Sequence, residues 1–432
     1  MPNTFQTQSL VERGLAFAWK ASEGFADRVS FRNDLVPGAV KNTGYSTTLR
    51  RPSYGGTTQA GTAVDYSLPG VTQPVAPAAY DTLTDITLPI TVSQRFEYNM
   101  QVSMEELTFK LSKEDAMKRF IEPAIVDMRD KINYFVSNLV AQSAGQVINT
   151  AANTDFPTKG DQFMQGMLQA KALMAYRKGI TGNTQPKTAL INPNVITNLG
   201  MANAKVYHAG FSSDQLYSKG TVPNLAGFDV YESPLLDVST VSSLGASITV
   251  TSVTLPTVWQ PTFTVVLGGL TANVVIPAGT KLKFTTAGGA AVINWAAPST
   301  GADTQRVATF TVTSQVQATA GGAATVVLSE CAIATGSYKN ITAPIAATSQ
   351  VTLALPTGIA ASSYTFANDA IVLVSPAVDI PEGVVYGKNL KLGGFNIAMI
   401  QDRWPGTLQN ITKLVCFVGG AVPRPEGIVA VV

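Results

Sequence analysis

A chain of 432 residues is long enough for two or three domains, yet only 13% of its residues are charged while 45% are hydrophobic. That charged fraction lies well under the roughly 25% usual for soluble domains, so surplus apolar surface is expected to go into protein contacts. A formal net charge of +2 excludes strong attraction to nucleic acid or anionic membrane by the chain as a whole, and no run approaches the roughly 18 consecutive apolar residues of a membrane helix.

Met1 to Leu10 is polar and reads as lacking a signal-peptide core. Residues 1–41 form a partly helical arm in which Leu15, Phe17, Phe25 and Val29 mix with Glu12, Lys20, Glu23 and Asp27. Such an amphipathic arm docks either on its own domain or on a neighbour.

From Asn42 to Met100 the composition shifts to Thr, Gly, Pro, Tyr and Ser, with extended pieces at Tyr45–Arg50 and Ile86–Val92. A stretch this long without its own core is functional, disordered or held by another chain. Ile86, Leu88, Ile90 and Val92 alternate with Thr87, Pro89 and Thr91, the pattern of a half-exposed strand able to pair across a subunit boundary. Phe96 to Phe109 continues in alternating strand.

Ile121, Ile125, Met128, Ile132, Phe135, Val136, Leu139, Val140 and Val147 recur at spacings of three and four, which predicts one long helix over Ser112–Ala152. Lys118, Arg119, Asp127, Arg129, Asp130 and Lys131 are assigned to its wet face. Pro123 should kink it or mark a second start.

Phe163–Lys178 reads as a second helix, with Phe163, Met167, Leu168, Ala172, Leu173 and Tyr176 on its apolar side. Lys187–Ile191 is a buried strand stopped by Asn192-Pro193, with a helix following over Asn194–Met201. Val222–Leu236 is a tight turn into a strand. At about Val238 helical patterning stops, and to about Ser362 short β-rich runs recur between Gly, Pro and Ser: Ser247–Thr254, Phe263–Leu267, Lys281–Thr285, Val307–Val312, Thr325–Leu328 and Val351–Leu355. These predict an inserted all-β domain of six or more strands, a barrel or a sandwich. The remainder returns to strands at Asn368–Ser375, Asn396–Gln401, Lys413–Gly419 and Ile428–Val432.

Catalytic constellations are hard to assemble from these residues. His208 is the only histidine, which leaves Ser-His-Asp, Cys-His and two-histidine metal sites without a partner. Neither phosphate-binding glycine motif is present. Glu105-Glu106 and Lys113-Glu114-Asp115 read as solvated surface. Cys331 and Cys416 lie in unrelated apolar runs and read as buried free thiols suited to a reducing cytoplasm. Arg50-Arg51, near the Tyr54-Gly55-Gly56 turn, suit either a carboxylate on a neighbouring subunit or a phosphate, and the subunit contact is the favoured reading.

Arm, extended loop, strands leading to a long helix, α/β domain, inserted β-domain and return: in this order the pieces resemble the major capsid proteins of tailed bacteriophages, which share the Hong Kong 97 (HK-97) fold. Leu190-Ile191-Asn192-Pro193 before a short helix resembles that family's strand-to-helix step. Leu225-Ala226-Gly227-Phe228-Asp229, then Ser233-Pro234-Leu235, resembles the start of its insertion, and Phe366 to Val374 with Arg424-Pro425-Glu426 resembles its exit and closing segment. The coat proteins of short-tailed Salmonella phages, with an inserted β-barrel, are the branch it resembles most.

The resemblance implies an α+β fold: arm 1–41, extended loop 42–100, peripheral domain with spine helix 101–160, apical domain with closing strands 161–237 and 363–432, and inserted β-barrel 238–362. It implies a non-enzymatic shell protein that assembles with itself as pentamers and hexamers into an icosahedral capsid in the host cytoplasm. Its partners would be a scaffolding protein, a portal at one vertex and packaged double-stranded DNA, with no cofactor, metal or membrane. Glu12, Glu23 and Asp27 are the candidate scaffold contacts, with Arg50 and Arg51 between subunits. The alternatives are an encapsulin-like nanocompartment shell and a secreted β-rich adhesin or surface-layer protein.

Overall fold

The computed structural model describes residues 15–16, 18–20, 24–33, 46–51, 86–103, 122–148, 160–178, 186–193, 195–196, 224–233, 236, 243–257, 259–296, 303–335, 339–355, 363–380, 382–404 and 409–431. The chain divides into two compact units, one of residues 1–49, 89–139 and 371–422, the other of residues 50–88, 140–370 and 423–432. Helix α1, Glu122–Ser143, contributes residues to both.

The first unit is built on a seven-stranded sheet. Its central strand, Gln409–Ala421, pairs antiparallel with Phe395–Trp404, which pairs with Tyr386–Leu392. Along its other edge runs Ile86–Ser103, in register at Phe96 and Cys416 and slipped by a bulge between Val418 and Gly419. The far end of the central strand pairs with Val372–Val374, which takes Ser30–Phe31 in parallel. Ser46–Arg51 pairs with Ile86–Ser103. Strand alternation brings Phe395, Ile397 and Met399 onto one face with Leu414, Cys416 and Val418, all buried. Phe135 and Leu139 of α1 and Leu373 approach Gly420 so closely that a Cβ there would meet all three within 3.4 Å. Trp19 and Phe31 of the arm pack on Phe395, with ring centroids 5.5 and 4.8 Å away. The described part of the arm therefore docks on its own unit.

Three readings of the sequence are corrected here. The extended pieces Ile86–Val92 and Phe96–Phe109 are one strand of 18 residues as far as Ser103, and from Val92 onward it pairs within its own chain. The alternation itself holds, with Leu88 and Ile90 buried between exposed Thr87, Pro89 and Thr91. Helix α1 ends at Ser143 and not at Ala152, and Val147 lies in a short strand, Val147–Ile148. Arg129, assigned to the wet face, is only 2% exposed. It follows Ile125 by four residues and precedes Ile132 by three, so helical geometry sets it within the buried stripe. Pro123 falls in the first turn of the described helix, where its missing N–H is tolerated; Ser112–Ile121 lie outside the described residues.

The second unit holds a six-stranded sheet in the order Val147–Ile148, Ile428–Val431, Ser363–Ala367, Lys187–Ile191, Phe228–Glu232, Asn224–Leu225. Lys187–Ile191 is buried along its whole length, as its sequence predicts. Helix α2, Gly160–Lys178, packs Phe163, Met167, Ala170, Leu173 and Met174 against Ala189, Ile191, Phe228, Val429 and Val431. Leu168, expected on that side, is 53% exposed. Ala226 and Gly227, at φ 55° and 86°, form the expected tight turn into Phe228–Glu232, a two-residue loop between paired Leu225 and Phe228. Asn368–Ser375 is not one strand: Asn368 and Asp369 turn between Ser363–Ala367 and Val372–Val374, which belong to different sheets.

The same unit contains a closed six-stranded antiparallel barrel in the order Lys281–Ala287, Thr309–Val312, Ala324–Ser329, Thr262–Gly268, Ile248–Thr254, Ser349–Leu353. Each of the six predicted β-runs contributes a strand to it, although Val307 belongs to the separate pair of Asn294–Ala296 with Asp303–Val307 and the last strand runs Ser349–Leu353 rather than Val351–Leu355. Its interior is a hydrophobic cluster separate from that of the sheet, centred on Phe310, with Phe263, Trp295 and Phe284 at ring-centroid distances of 5.3, 5.2 and 5.7 Å.

Candidate assembly surfaces

Two buried cations hold together segments that are distant in the sequence. In the first unit, the Arg129 guanidinium donates to the Trp19 carbonyl and to the Asp27 carboxylate, and its Cζ stands 4.7 Å from the centre of the Trp19 ring. Arginine suits this place because one planar group can stack and pair at once. The contact ties residues 19 and 27 of the arm to the middle of α1.

In the second unit, Lys281 projects from the outer side of the barrel and is 2% exposed. Its Nζ donates to the carbonyls of Ala141 and Ala144 at 2.7 and 2.9 Å and to the Thr311 hydroxyl at 2.8 Å. Thr311 in turn donates to the Ala144 carbonyl and Thr309 to the Gly145 carbonyl. The Tyr364 ring lies 5.9 Å from Nζ. Burial pushes the Lys281 ammonium down to about 7. Nothing local in Lys281-Leu-Lys283-Phe284 separates Lys281 from half-buried Lys283, so sequence reasoning missed it; Arg129 was detectable by its place in the stripe.

The second face of the long sheet is more open. Cross-strand register sets Lys391, Asn396, Phe417 and Arg95 in one row, with Arg95 Cζ 5.9 Å from the centre of the Phe417 ring. Glu97 pairs with both Lys413 and Arg95, and the hydrogen bond from Lys413 holds its carboxyl below the usual range. Among the described residues no group of three or more His, Cys, Asp or Glu side chains is placed to hold a metal.

Of the residues singled out from the sequence, Asp27 is placed against Arg129, with 17% of its side chain exposed. Arg50 and Arg51 lie in the strand Ser46–Arg51. Glu12, Glu23 and His208 lie outside the described residues. Cys331 and Cys416 are buried and form no disulfide with each other, and burial pushes the Cys416 thiol up to about 12.

A family model described as P22 coat protein - gene protein 5 matches residues 76–428, well over half of the chain. No curated protein matches it in sequence. Among solved structures it is similar to that of Mycobacterium phage Che8 at 10% identity, covering 94% of this chain and 90% of that one with a TM-score of 0.44. The capsid of cyanophage P-SCSP1u matches at 12% identity, 94% and 87% coverage and a TM-score of 0.45. A virus-like particle from Pyrococcus furiosus matches at 7% identity, 98% coverage of both chains and a TM-score of 0.42.

Proposed function

Because this chain belongs to the P22 coat protein family, we propose that it is the major capsid protein of a tailed bacteriophage, assembling as pentamers and hexamers into an icosahedral shell around double-stranded DNA. The single observation that carries this reading is the family match over residues 76–428. The closed barrel between the strands Phe228–Glu232 and Ser363–Ala367 agrees with it, as an insertion between two segments of one sheet, and supports placing the chain on the branch of the short-tailed Salmonella phages.

In this reading α1 is the spine helix of an HK-97-type subunit, residues 1–41 the arm, 42–100 the extended loop, 101–160 the peripheral domain, 161–237 with 363–432 the apical domain and 238–362 the inserted barrel. Arg50 and Arg51 serve the contact between subunits. Glu12 and Glu23 serve the scaffolding protein, while Asp27 holds the arm to α1. A portal occupies one vertex, and packaged DNA meets scattered lysines and arginines without sequence preference. Assembly exchanges hydrated arm and loop surface for large subunit interfaces inside the host cytoplasm, which accounts for the low charge of the chain.

Velocity sedimentation of the full chain, produced with and without its scaffolding protein, tests this. A fast-sedimenting particle of uniform size is expected with the scaffold. A slow species of one or two chains under both conditions contradicts the proposal.

A further inference from the structure

The last four carbonyls of a helix have no partner within it. Helix α1 has no basic residue in its last turn, so its own sequence supplies no cation for that end. Many helices finish on a left-handed glycine whose following backbone takes these carbonyls. Gly145 stands in the right place but is not among the glycines with positive φ. It is needed for space instead, since a Cβ there would lie 2.6 Å from a carboxylate oxygen of Glu330. The apolar spacing also runs on to Val147, beyond the observed end. The stop at Ser143 therefore has its cause outside the helix.

We propose that the barrel caps α1 in trans: Lys281 takes the carbonyl of Ala141 in the last turn, Lys281 and Thr311 take that of Ala144 and Thr309 that of Gly145 just beyond it, and together they fix where the helix ends. Lys281 and Thr311 are cross-strand neighbours, as are Lys283 and Thr309, so the closed barrel presents the capping groups as one rigid outer patch. All three caps are at most 3% exposed, so water does not compete for the carbonyls. The arrangement tolerates titration of Lys281: a neutral amine keeps two N–H groups for the two carbonyls, and Thr311 keeps its own hydrogen bond to the Ala144 carbonyl. The barrel is thus a conformational clamp on the helix end, whatever the whole chain assembles into.

Hydrogen exchange of the unassembled full chain tests this with Lys281→Met, Thr309→Val and Thr311→Val. Exchange at the amides of Ala141–Gln146 is expected to rise about tenfold or more, while barrel amides such as Val265 and Val326 keep their protection. The Thr→Val changes nearly preserve volume, so the double variant T309V/T311V decides the matter if Lys281→Met does not fold. Unchanged exchange at Ala141–Gln146 in that folded double variant overturns the proposal.

Discussion

The guanidinium of Arg129 stacks on the indole of Trp19, its Cζ 4.7 Å from the ring centre, although 110 residues separate the two in the chain. Removing one partner of a buried ion pair leaves the other charge without compensation, which costs about 3–5 kcal/mol. Asp27→Asn should therefore lower the unfolding free energy of the unassembled chain by that order, because it leaves the charge of buried Arg129 uncompensated, and Arg129→Met by less, because the Asp27 left behind keeps some contact with water. Urea denaturation checks both. Loss of less than about 1 kcal/mol in Asp27→Asn would mean that the contact does not hold the arm.

Lys281 gives a pH dependence with a definite sign. A free lysine titrates at 10.5, and burial lowers Lys281 to about 7. Between these values the unfolded chain holds a proton that the folded chain has shed, so folding stability rises with pH, by at most about 1.4 kcal/mol per unit. Below pH 7 both states are protonated and the burial cost is constant. The wild-type chain should thus gain stability relative to Lys281→Met between pH 7 and 9 in chemical denaturation. A difference that stays flat or falls across that range contradicts the burial argument.

Two glycines of the barrel unit share a left-handed φ and differ in their surroundings. At Gly269, φ 75°, an added Cβ would lie 2.2 Å from the Ser247 carbonyl oxygen, while at Gly279, φ 87°, nothing lies within 4 Å. Gly279→Ala should cost only the backbone strain, about 1–2 kcal/mol. Gly269→Ala adds a backbone clash and should cost clearly more. Thermal melts of the two variants side by side check the order, and equal losses would contradict it.

Cys416 and Cys331 should not react with a thiol reagent at pH 8 in the native chain, because both are buried and the Cys416 thiol is pushed up to about 12. Both should react once denaturant is added. Rapid native labelling of either would show that its unit opens.

The strands were legible wherever a local pattern decides the structure. Lys187–Ile191 and the six barrel runs were set by β-branched and aromatic residues between turn residues, and Ile428–Val431 by its unbroken apolar run. The rest depends on contacts distant in sequence. The end of α1 at Ser143 lies against Lys281 and Thr311, which no window around Ser143 contains. The strand Tyr386–Leu392 went unread because Gly387, Asn389 and two lysines dilute its alternation, as suits a strand at the edge of a sheet. Asn368-Asp369 was absorbed into an apolar run although both residues favour turns. The candidate site was less legible than the fold, since Arg129 and Lys281 are buried charges whose partners come from elsewhere in the chain.

The central claim is that this chain builds a closed shell, and negative-stain electron microscopy of the full chain, expressed with and without the proposed scaffolding partner, tests it most directly. Closed particles of uniform diameter with pentameric and hexameric units are the predicted result. Well-dispersed particles only the size of one or two chains, with no shells at any protein concentration, would contradict it.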